Sequence, residues 1–597
     1  MTESQPPAHS GLSVDPVTYE LVRNTLLAIS NEMALVVAKS AYSTAINEGL
    51  DFANATYDGQ GRLLSQGEYD LPAFVGITML AIPEVVRAIG RETMADGDIY
   101  MINDPYVAST HCNDIHFVKP IFFEDEIVAF LSSTAHWSDI GGVVPGTLNL
   151  SAKTHYEEGL RIPAVTIVKQ GELQEDLLRL ILANVREAWE RVGDLNAQTA
   201  ALRTGEQRMH ALFRKHGKAK TLATFAEMQD HAERMVRVAL REIPNGVYAS
   251  TDLIDQDLST GEPVAIRLKI TIEDDHAIFD LTESDDAAGS GINGTLAATT
   301  SSIYNSTAAL LPPMPMNSGI MRAIEIRARP GSICYAQPPV AISGTAATSL
   351  ECTFAAVVKA LSQAWPERGC GVSSTIHNTC YSGVDGRAGF GAPFIEYVWS
   401  VGGMGGTQKK DGANVVGSPY AASITNIPVE LQERRYPLLW NRYQIMQDSG
   451  GPGRSRGGLA LTQHCSFPYQ PGLLNSFGNR ERFGPPGVFG GGAGKTAGLV
   501  LNMGTENEQQ MSSFSTQVPV DVGDTLTLWS NGGGGYGDPL QRPAERILED
   551  VKDDYLSVAA AREQYGVVIH ERDRRQLWFE VDEAATAALR RERSAAR

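Results

Sequence analysis

The sequence predicts a multi-domain protein of the α+β class, and three observations support this prediction. Helical and strand-like hydrophobic patterns are mixed in residues 15–245, short strands separated by glycine fill residues 246–540, and charged helical sequence fills residues 541–597. We therefore predict an N-terminal mixed α/β region with long helices, then a β-rich, Gly-rich region, then a helical C-terminal tail. The polar, proline-containing residues 1–14 predict a disordered N-terminus.

The composition argues against several classes of function. With 43% hydrophobic and 20% charged residues among 597, the chain is typical of a soluble globular protein with a large core. Its net charge of -20 opposes binding to nucleic acid or to an anionic membrane, because both need a basic surface. The sequence shows no secretion signal and no uninterrupted apolar run long enough to span a bilayer. Six cysteines without a CxxC pair predict free thiols in a reducing compartment, so we expect a cytoplasmic protein.

Two stretches predict the long helices of the N-terminal region. The first begins at Asp15, which can cap the helix, and Pro16 fits the first helical position; the pattern extends to about Ser43. Its apolar residues recur at helical spacing and predict a buried face formed by Val22, Leu26, Ile29, Met33, Val36 and Val37. The second stretch covers residues 173–243, and we predict a break in it at Gly217.

Between these helices, two strand-like runs predict an antiparallel hairpin. Residues 115–123 and 127–134 flank the acidic turn Glu124-Asp125-Glu126. A turn centred on its middle residue fixes the register of the whole ladder, and a slip of one residue would break the pairing at its far end. A further strand is predicted at residues 51–57, with the carboxylate of Asp51 at its start.

The far end of the hairpin holds the densest group of potential metal ligands in the sequence. In the predicted register Asp114 lies opposite His136, and His111 lies opposite Asp139, at Cβ distances of about 4.5–5.5 Å. A single divalent cation could bridge these four side chains, and His116 could face the site or hold a ligand in place. The absence of thiolates favours zinc, manganese or iron over a Cys-type structural zinc site. The alternative is that these side chains only satisfy backbone groups at strand ends.

The second region reads as short strands with one helix. Strands are predicted at residues 265–272 and 277–281, and a helix at residues 348–364. Three glycine runs predict many tight turns, although glycine also lets a backbone approach a ligand closely; these runs are at residues 402–406, 450–453 and 532–535. Four aromatic residues could line an apolar pocket or pack in the core: Trp137, Tyr156, Tyr397 and Trp399.

One motif invites a nucleotide-binding interpretation that we reject. Residues 489–496 resemble a phosphate-binding P-loop, but Phe489 stands where the first glycine is required. Residues 497–501 predict a strand, whereas a P-loop must open a helix whose N-terminus receives phosphate. No Rossmann fingerprint is present either, so the chain shows no nucleotide site of its own.

Six motifs together resemble the hydantoinase B family, the partner subunit of ATP-dependent hydantoinases, oxoprolinases and ketone carboxylases. The resemblance covers about residues 15–568. The motifs are DPVTYE at 15–20, NDPY at 103–106 followed by His111 and Asp114, AHWSDIGG at 135–142, EGLRIP at 158–163, DSGGPG at 448–453 and GGGGYGDP at 532–539.

The resemblance implies a ligand set within this chain. The family's metal ligands correspond to Asp51, His111, Asp114 and His136. Asp139 is then better placed as a base or as a group that orients a ligand, and His116 is a second candidate base. Trp137 stands where the family motif often carries another histidine, so a site that uses both histidines is not expected.

The resemblance also implies a division of labour between two subunits. An A-type hydantoinase/oxoprolinase subunit would bind ATP and phosphorylate the substrate, and this chain would carry out the metal-dependent second step in a hetero-oligomer. The first expectation is ring opening of a cyclic amide: a hydantoin, an oxoproline or a lactam. The alternative is a subunit of an ATP-dependent ketone carboxylase of the acetone or acetophenone type. A third possibility is a non-catalytic scaffold that only binds the ATP-hydrolysing subunit.

Overall fold

The structure is a computed structural model in which residues 12–595 are described. Helices and several separate sheets are combined in one chain, which confirms the predicted α+β class. The predicted disordered N-terminus falls mainly on residues 1–11, which lie outside the described residues. Leu12 and Val14, at its end, pack against the hydrophobic core.

A seven-stranded sheet forms the centre of the N-terminal region. Its strands follow the order β2-β1-β5-β4-β3-β6-β7, and every neighbouring pair is antiparallel. Both faces are covered by apolar cores, so the central strands are buried along almost their whole length. The strands are β1 (Phe52–Asp58), β2 (Leu63–Gln66), β3 (Ile99–Ile102), β4 (Asp114–Phe123), β5 (Glu126–His136), β6 (Val165–Lys169) and β7 (Glu172–Leu173).

Helices pack on both faces of this sheet. The helices are α1 (Pro16–Ser40), α2 (Thr44–Asn47), α3 (Pro72–Ile89), α4 (Glu175–Leu182), α5 (Ala188–His216) and α6 (Lys218–Arg241). The α1 and α5 helices lie on one face, and α3 lies on the other. As predicted, Asp15 caps α1 by accepting from the Thr18 N–H, and Gly217 separates α5 from α6 at a φ of 81°.

Two of these helices, α1 and α3, are long and apolar enough to cross a membrane on length and composition alone. Half of the most apolar window of α3 is buried, and α1 buries the face of Val22, Leu26 and Met33 against α5. This burial is typical of core helices in globular proteins.

The β4–β5 hairpin has the predicted pairing at its far end but a different turn. The turn contains only Glu124 and Asp125, both with positive φ, and Phe123 pairs with Glu126. A β-bulge one residue further shifts the register back, so Asp114 faces His136 as predicted. The ladder ends at that pair, and the expected pairing of His111 with Asp139 does not form because the chain turns away at both ends.

The second region shares its core with the first. Two buried helices, α7 (Leu296–Leu310) and α8 (Ser349–Ala364), lie between α3 and a four-stranded sheet, and α8 matches the predicted helix. The sheet has the order β11-β10-β9-β8 and consists of β8 (Gly246–Ile254), β9 (Val264–Glu273), β10 (His276–Asp280) and β11 (Ile324–Arg327). One continuous apolar core therefore crosses the predicted boundary at residue 245.

Two further sheets pack face to face as a sandwich around a third core. One has the order β13-β12-β16-β19 and the other β14-β15-β20-β17-β18. The strands are β12 (His377–Val384), β13 (Pro393–Ser400), β14 (Leu439–Ile445), β15 (Leu461–Ser466), β16 (Gly472–Phe477), β17 (Gly498–Leu501), β18 (Gln509–Met511), β19 (Val518–Val520) and β20 (Thr525–Trp529), with the short helix α9 (Val429–Arg435) before β14. The strand β17 agrees with the rejection of a P-loop before it.

The glycine runs are not the tight turns that we predicted. They are irregular segments that pack against one another and exchange backbone hydrogen bonds, such as Gly451 N–H to Gly533 O and Gly406 N–H to Gly534 O. A Cβ at Gly533 would lie 2.0 Å from the backbone oxygen of Met404. Glycine is required here because the backbones touch, and only a residue without a side chain allows that approach.

The C-terminal tail is a small unit with its own core rather than a purely helical segment. The helices are α10 (Ala544–Lys552), α11 (Val558–Tyr565) and α12 (Glu583–Ala595), and a hairpin of β21 (Ile569–Asp573) and β22 (Trp578–Val581) lies between the last two. Phe579 of the hairpin is buried against α10 and α11. An isolated helix of this length is marginal in water, so the hairpin supplies part of the apolar surface on which the helices pack.

Candidate metal centre

Three neighbouring strands bring the predicted ligands together at one end of the seven-stranded sheet. Asp114 begins β4 and pairs with His136 at the end of β5. On the other side of β5, Asp51 immediately precedes β1, and its backbone oxygen accepts a 3.0 Å hydrogen bond from the N–H of His136. His111 lies in the turn before β4, where its backbone oxygen accepts from the Asp114 N–H. The strand order β1-β5-β4 therefore assembles four predicted ligands from distant parts of the sequence.

The side-chain atoms of three of these residues are spaced as a single cation requires. Asp114 Oδ1 lies 3.2 Å from His111 Nδ1 and 3.5 Å from His136 Nδ1. Ligand atoms about 2.1 Å from a tetrahedral centre are about 3.4 Å apart, so these separations fit one shared ion. Asp51 lies further out, with its Oδ2 at 4.0 Å from His136 Nδ1.

Buried polar atoms at this point lack hydrogen-bond partners. Asp51 Oδ1, His111 Nδ1 and Asp114 Oδ1 are each buried without one. Unpartnered buried atoms are uncommon in native structures because each carries a desolvation cost. A divalent cation held by the three clustered residues would satisfy His111 Nδ1 and Asp114 Oδ1 and leave Asp51 Oδ1 free, and a nitrogen and carboxylate set suits zinc, manganese or iron. The described residues therefore fit one bound cation.

Burial and mutual attraction set the pKa values in this group. Burial lowers the pKa of His111 to about 4, although Asp114 opposes the shift. Burial alone would raise the pKa of Asp114, but the two histidines and the Thr110 hydroxyl outweigh it and hold this pKa at about 2. Burial raises the pKa of Asp51 to about 6 against the attraction of His136. At neutral pH an ionised Asp114 thus faces a neutral His111, which are the forms that ligate metals.

His116, a predicted candidate base, lies buried between two hydroxyl groups. Its Nε2 is 2.9 Å from Ser109 Oγ and its Nδ1 is 2.7 Å from Thr134 Oγ1. Ser109 Oγ donates to the backbone oxygen of Asp114, so His116 Nε2 carries the proton that Ser109 accepts. Burial lowers the pKa of His116 to about 4. His116 is therefore a neutral group that supports the backbone of Asp114 through Ser109.

Asp139, the other predicted base, lies away from the three clustered ligands and is fully occupied by the protein. Its Oδ1 accepts from the N–H groups of Gly141 and Arg186, and its Oδ2 accepts from Gly146 N–H and Arg186 Nη1, all at 2.8–3.0 Å. These bonds fix the loop 141–146, and the backbone oxygen of Gly146 in this loop accepts from Tyr397. Next to it, Trp137 donates to Gln198 of α5 at 3.0 Å and anchors the base of the hairpin.

A narrow cavity of about 50 Å³ opens beside the candidate ligands, and its other wall comes from the second half of the chain. Of the four aromatic residues singled out in the sequence, Tyr397 and Trp399 of β13 line this cavity. Trp137 is buried in the core, and Tyr156 is exposed at the surface. Tyr397 lies edge-on to His136 and donates to the backbone oxygen of Gly146 at 2.6 Å.

Sequence reasoning missed three polar residues of the cavity, Thr110, Asn378 and Tyr420. The Thr110 hydroxyl donates to Asp114 Oδ2, and its place one residue before His111 was a usable signal. Asn378 follows His377 on β12, and its Oδ1 is buried without a partner. Nothing local in the sequence marks Asn378, because it reaches the site only through packing of the second half of the chain on the first.

Comparison with known proteins gives one consistent result. The family model for hydantoinase B/oxoprolinase matches residues 15–539. The beta subunit of the caprolactamase of Pseudomonas jessenii is 32% identical over 97% of this chain and 99% of its own length. A Pseudomonas sp. (strain NS671) protein named as the B subunit of a D-/L-hydantoinase is 30% identical over 97% of this chain and 98% of its own.

Solved structures agree with these relatives. The crystal structure of the ATP-dependent caprolactamase of Pseudomonas jessenii superposes with a TM-score of 0.88, covering 97% of this chain and 100% of that one. A nucleotide-free acetone carboxylase structure also gives 0.88, over 98% of this chain and 83% of its own, but at 20% identity this likeness concerns the fold alone. The motifs of the sequence, the family model and relatives of nearly equal length agree, and the chain belongs to the hydantoinase B/oxoprolinase family.

Proposed function

We propose that this chain is the metal-dependent B subunit of an ATP-dependent cyclic-amide hydrolase. The observation that carries the proposal is the group of His111, Asp114 and His136, buried at one end of the sheet with unpartnered ligand atoms. Family membership supports it, because the relatives named above are subunits of a caprolactamase and a hydantoinase. The chain has no P-loop, so ATP is bound by an A-type partner subunit in a hetero-oligomer.

The reaction balances in two stages. The partner transfers the γ-phosphoryl group of ATP to the amide oxygen and releases ADP. Water then adds to the amide carbon, the ring C–N bond breaks and the nitrogen leaves as an amine. The remaining acyl phosphate takes up a second water and yields a carboxylate and inorganic phosphate.

The residues of this chain divide the work in the second stage. His111, Asp114 and His136 would hold the cation, which when bound would supply a nucleophile by lowering the pKa of a water molecule to about 7. Asp51 faces the same point through Oδ2, and its free Oδ1 takes a proton from the attacking water. Its pKa, raised by burial to about 6, lies close to the working pH, as an effective base requires.

Asp139 and His116 act in this proposal by holding the ligands rather than by direct proton transfer. A base must reach the proton that it removes, and the carboxylate oxygens of Asp139 and ring nitrogens of His116 are already bonded to protein groups. Asp139 fixes the loop 141–146, and His116 supports the start of β4. Both are therefore positioning residues.

The cation in this proposal is zinc, manganese or iron, and the chain works in the cytoplasm. The ligand set contains no thiolate, which leaves these three metals open. All six cysteines are free and five of them are buried, a pattern that is stable in a reducing compartment.

The first test measures metal content together with activity. The chain is tagged, and its complex with the ATP-binding partner is purified from the native host. Plasma mass spectrometry is expected to find about one metal per chain in the wild type and none in folded His111→Ala, Asp114→Ala or His136→Ala. Metal retained in all three variants would overturn the centre described here.

The second test separates the hydrolase from the alternatives. We expect cyclic amides to stimulate ADP formation without bicarbonate and to yield a ring-opened amino acid. Stimulation that requires a ketone and bicarbonate would instead identify a carboxylase. Full activity of a metal-free His136→Ala complex would identify a scaffold.

A further inference from the structure

The cavity wall that faces the candidate ligands carries no positive charge. It is formed mainly by aliphatic and aromatic side chains, among them Phe74, Leu148, Ile376, Trp399, Ile424 and Phe477. Among the described residues that line the cavity there is no lysine and no arginine. A substrate that enters must therefore place most of its surface against hydrocarbon.

The charges of the site leave nothing to pair with an anionic ring. Asp51 and Asp114 together carry two negative charges, and histidines ligate metals as neutral imidazoles. A divalent cation cancels those two charges and no more. A carboxylate on the substrate ring would lie unpaired in an apolar cavity, which is strongly unfavourable. Every substrate of the proposed reaction carries the same phosphoryl group after phosphorylation. Its charge is therefore equal for neutral and anionic rings and does not affect the preference between them.

Asn378 offers one neutral hydrogen-bonding group on the apolar wall. On β12 it is paired with Trp399 and Phe477 of the two neighbouring strands, and its Oδ1 has no partner. A side-chain amide can accept from the N–H of a cyclic amide. If the Asn378 amide is rotated by 180°, its N–H₂ can donate instead. The acceptor is then the ring nitrogen, which carries no hydrogen once the amide oxygen is phosphorylated. Asn378 therefore suits a single ring nitrogen in both states.

Two other polar side chains of the cavity are already engaged, and a third, Tyr420, adds one more hydroxyl to the wall. The Thr110 hydroxyl donates to Asp114, and the Tyr397 hydroxyl donates to backbone oxygens of Ser138 and Gly146. Apart from the Tyr420 hydroxyl, a second carbonyl and a second N–H on the ring, as in a hydantoin, would face mainly apolar side chains. Burial of such polar groups without hydrogen-bond partners costs free energy, and an apolar pocket rejects an added polar group by about 100-fold.

We propose that this site opens uncharged lactams whose ring, apart from its one amide, is hydrocarbon, and that Asn378 positions the ring nitrogen. The small cavity favours a single small ring. This inference rests on the proposed function, since it names the substrate class of the same site.

The test compares three five-membered rings that differ only in the features at issue. 2-Pyrrolidone is a neutral lactam, 5-oxoproline is the same ring with a carboxylate, and hydantoin adds a second carbonyl and nitrogen. The complex with the ATP-binding partner is assayed for ADP and for the ring-opened amino acid. We expect kcat/KM for 2-pyrrolidone to exceed both others by at least about 100-fold.

Substitutions at two positions, Ile424 and Asn378, test the residues that carry the inference. Ile424 is only partly buried, so Ile424→Lys can place an ammonium group at the wall; it should raise 5-oxoproline turnover relative to 2-pyrrolidone by at least about 10-fold. Ile424→Leu is the matched control and should keep the wild-type preference. Asn378→Ala should lower the ratio of ring-opened amino acid to ADP, while metal content stays unchanged. Asn378→Ser should recover part of this ratio.

The outcomes separate this inference from the function on which it rests. Turnover of 5-oxoproline or hydantoin at the rate of 2-pyrrolidone would overturn the inference and leave a cyclic-amide hydrolase in place. An Asn378→Ala complex with unchanged product per ADP would overturn the role of Asn378. If only a ketone with bicarbonate stimulates ADP formation, the proposed function and this inference fall together.

Discussion

Asp139 and Asp114 are both buried carboxylates at the base of the same hairpin, yet their surroundings give them different roles. Asp114 keeps one oxygen without a hydrogen-bond partner and faces two histidines. Asp139 uses both oxygens to accept from backbone N–H groups and from Arg186. The number of free lone pairs, rather than burial or charge, is therefore what makes Asp114 a candidate ligand and Asp139 a candidate positioning group.

Replacement of Asp139 by asparagine tests this distinction. Asp139→Asn should keep about one metal per chain, because Asp139 does not reach the cation. The new amide N–H₂ would face two donors, Gly146 N–H and Arg186 Nη1, so stability should fall by about 1.5–3 kcal/mol. Metal content and the denaturation midpoint are the measurements, with Asp114→Asn as the control that loses metal. A folded Asp139→Asn chain without metal would make Asp139 a ligand.

His377 on β12 gives a prediction of pH dependence away from the metal centre. Burial lowers its pKa from 6.5 to about 4, and its ring nitrogens contact Asn479 O and Ser513 Oγ. Between pH 6.5 and 4 the unfolded chain binds a proton at His377 and the native chain does not. This contribution to stability is therefore present above pH 6.5 and is lost as the pH falls toward 4.

His377→Gln removes that titration and keeps a donor for Asn479 O. From pH 7 to pH 5 the wild type should lose about 2 kcal/mol more stability than the variant. Urea denaturation midpoints at the two pH values measure the difference. Equal losses in both proteins would show that His377 is protonated in the native state or does not titrate in this range.

At the residue scale, the sequence indicates which candidate ligands lie together but not which residues surround them. His111, Asp114 and His136 are close in sequence, and the register of one hairpin is enough to group them. Asp51 is assigned only through family resemblance, since nothing in its local pattern distinguishes it from a turn-forming aspartate. Asn378 has no sequence signal at all, because its place in the site depends on long-range packing.

At the scale of elements, the predicted pairing at the end of the hairpin is confirmed, whereas the prediction that the glycine runs are tight turns is wrong. The hairpin register is as predicted at Asp114 and His136 because a bulge compensates for a turn one residue shorter than expected. The glycine runs predict turns because turns are the usual reason for glycine. Contact between backbones from distant runs also selects glycine, and single-sequence patterns do not distinguish the two causes.

A single methyl group tests the packing of the glycine runs. Gly533→Ala would place a Cβ 2.0 Å from Met404 O, which belongs to another backbone segment. The backbone must move apart and break hydrogen bonds such as Gly533 N–H to Gly458 O, so we expect a loss of more than about 3 kcal/mol. Gly246→Ala is the matched control, since the nearest atom to its Cβ is 3.7 Å away. Equal denaturation midpoints for the two variants would contradict close packing at Gly533.

At the scale of the whole molecule, the candidate metal centre is built from both halves of the chain. The ligands come from the first 245 residues, whereas β12 and β13 supply Asn378, Tyr397 and Trp399. The layers run from α1 and α5 through the large sheet to α3, then to α7 and α8 and the four-stranded sheet. A domain boundary predicted from sequence is placed where the local hydrophobic pattern changes. Such a change does not show whether the segments on its two sides share one hydrophobic core.

A fragment of residues 1–245 provides the last prediction, because it contains every ligand but only part of the core. Gly76 of α3 packs directly on Ser301 of α7, so removal of the second half exposes the apolar face of α3. Without Tyr397, the loop 141–146 also loses a hydrogen bond at Gly146. We expect the fragment to lack a cooperative unfolding transition and to bind less than about 0.1 metal per chain, whereas the full chain binds about one. Co-expression with residues 246–597 should restore binding if the loss is due to the shared core. A fragment that unfolds cooperatively with a full equivalent of metal would show instead that the boundary at residue 245 separates two independent domains.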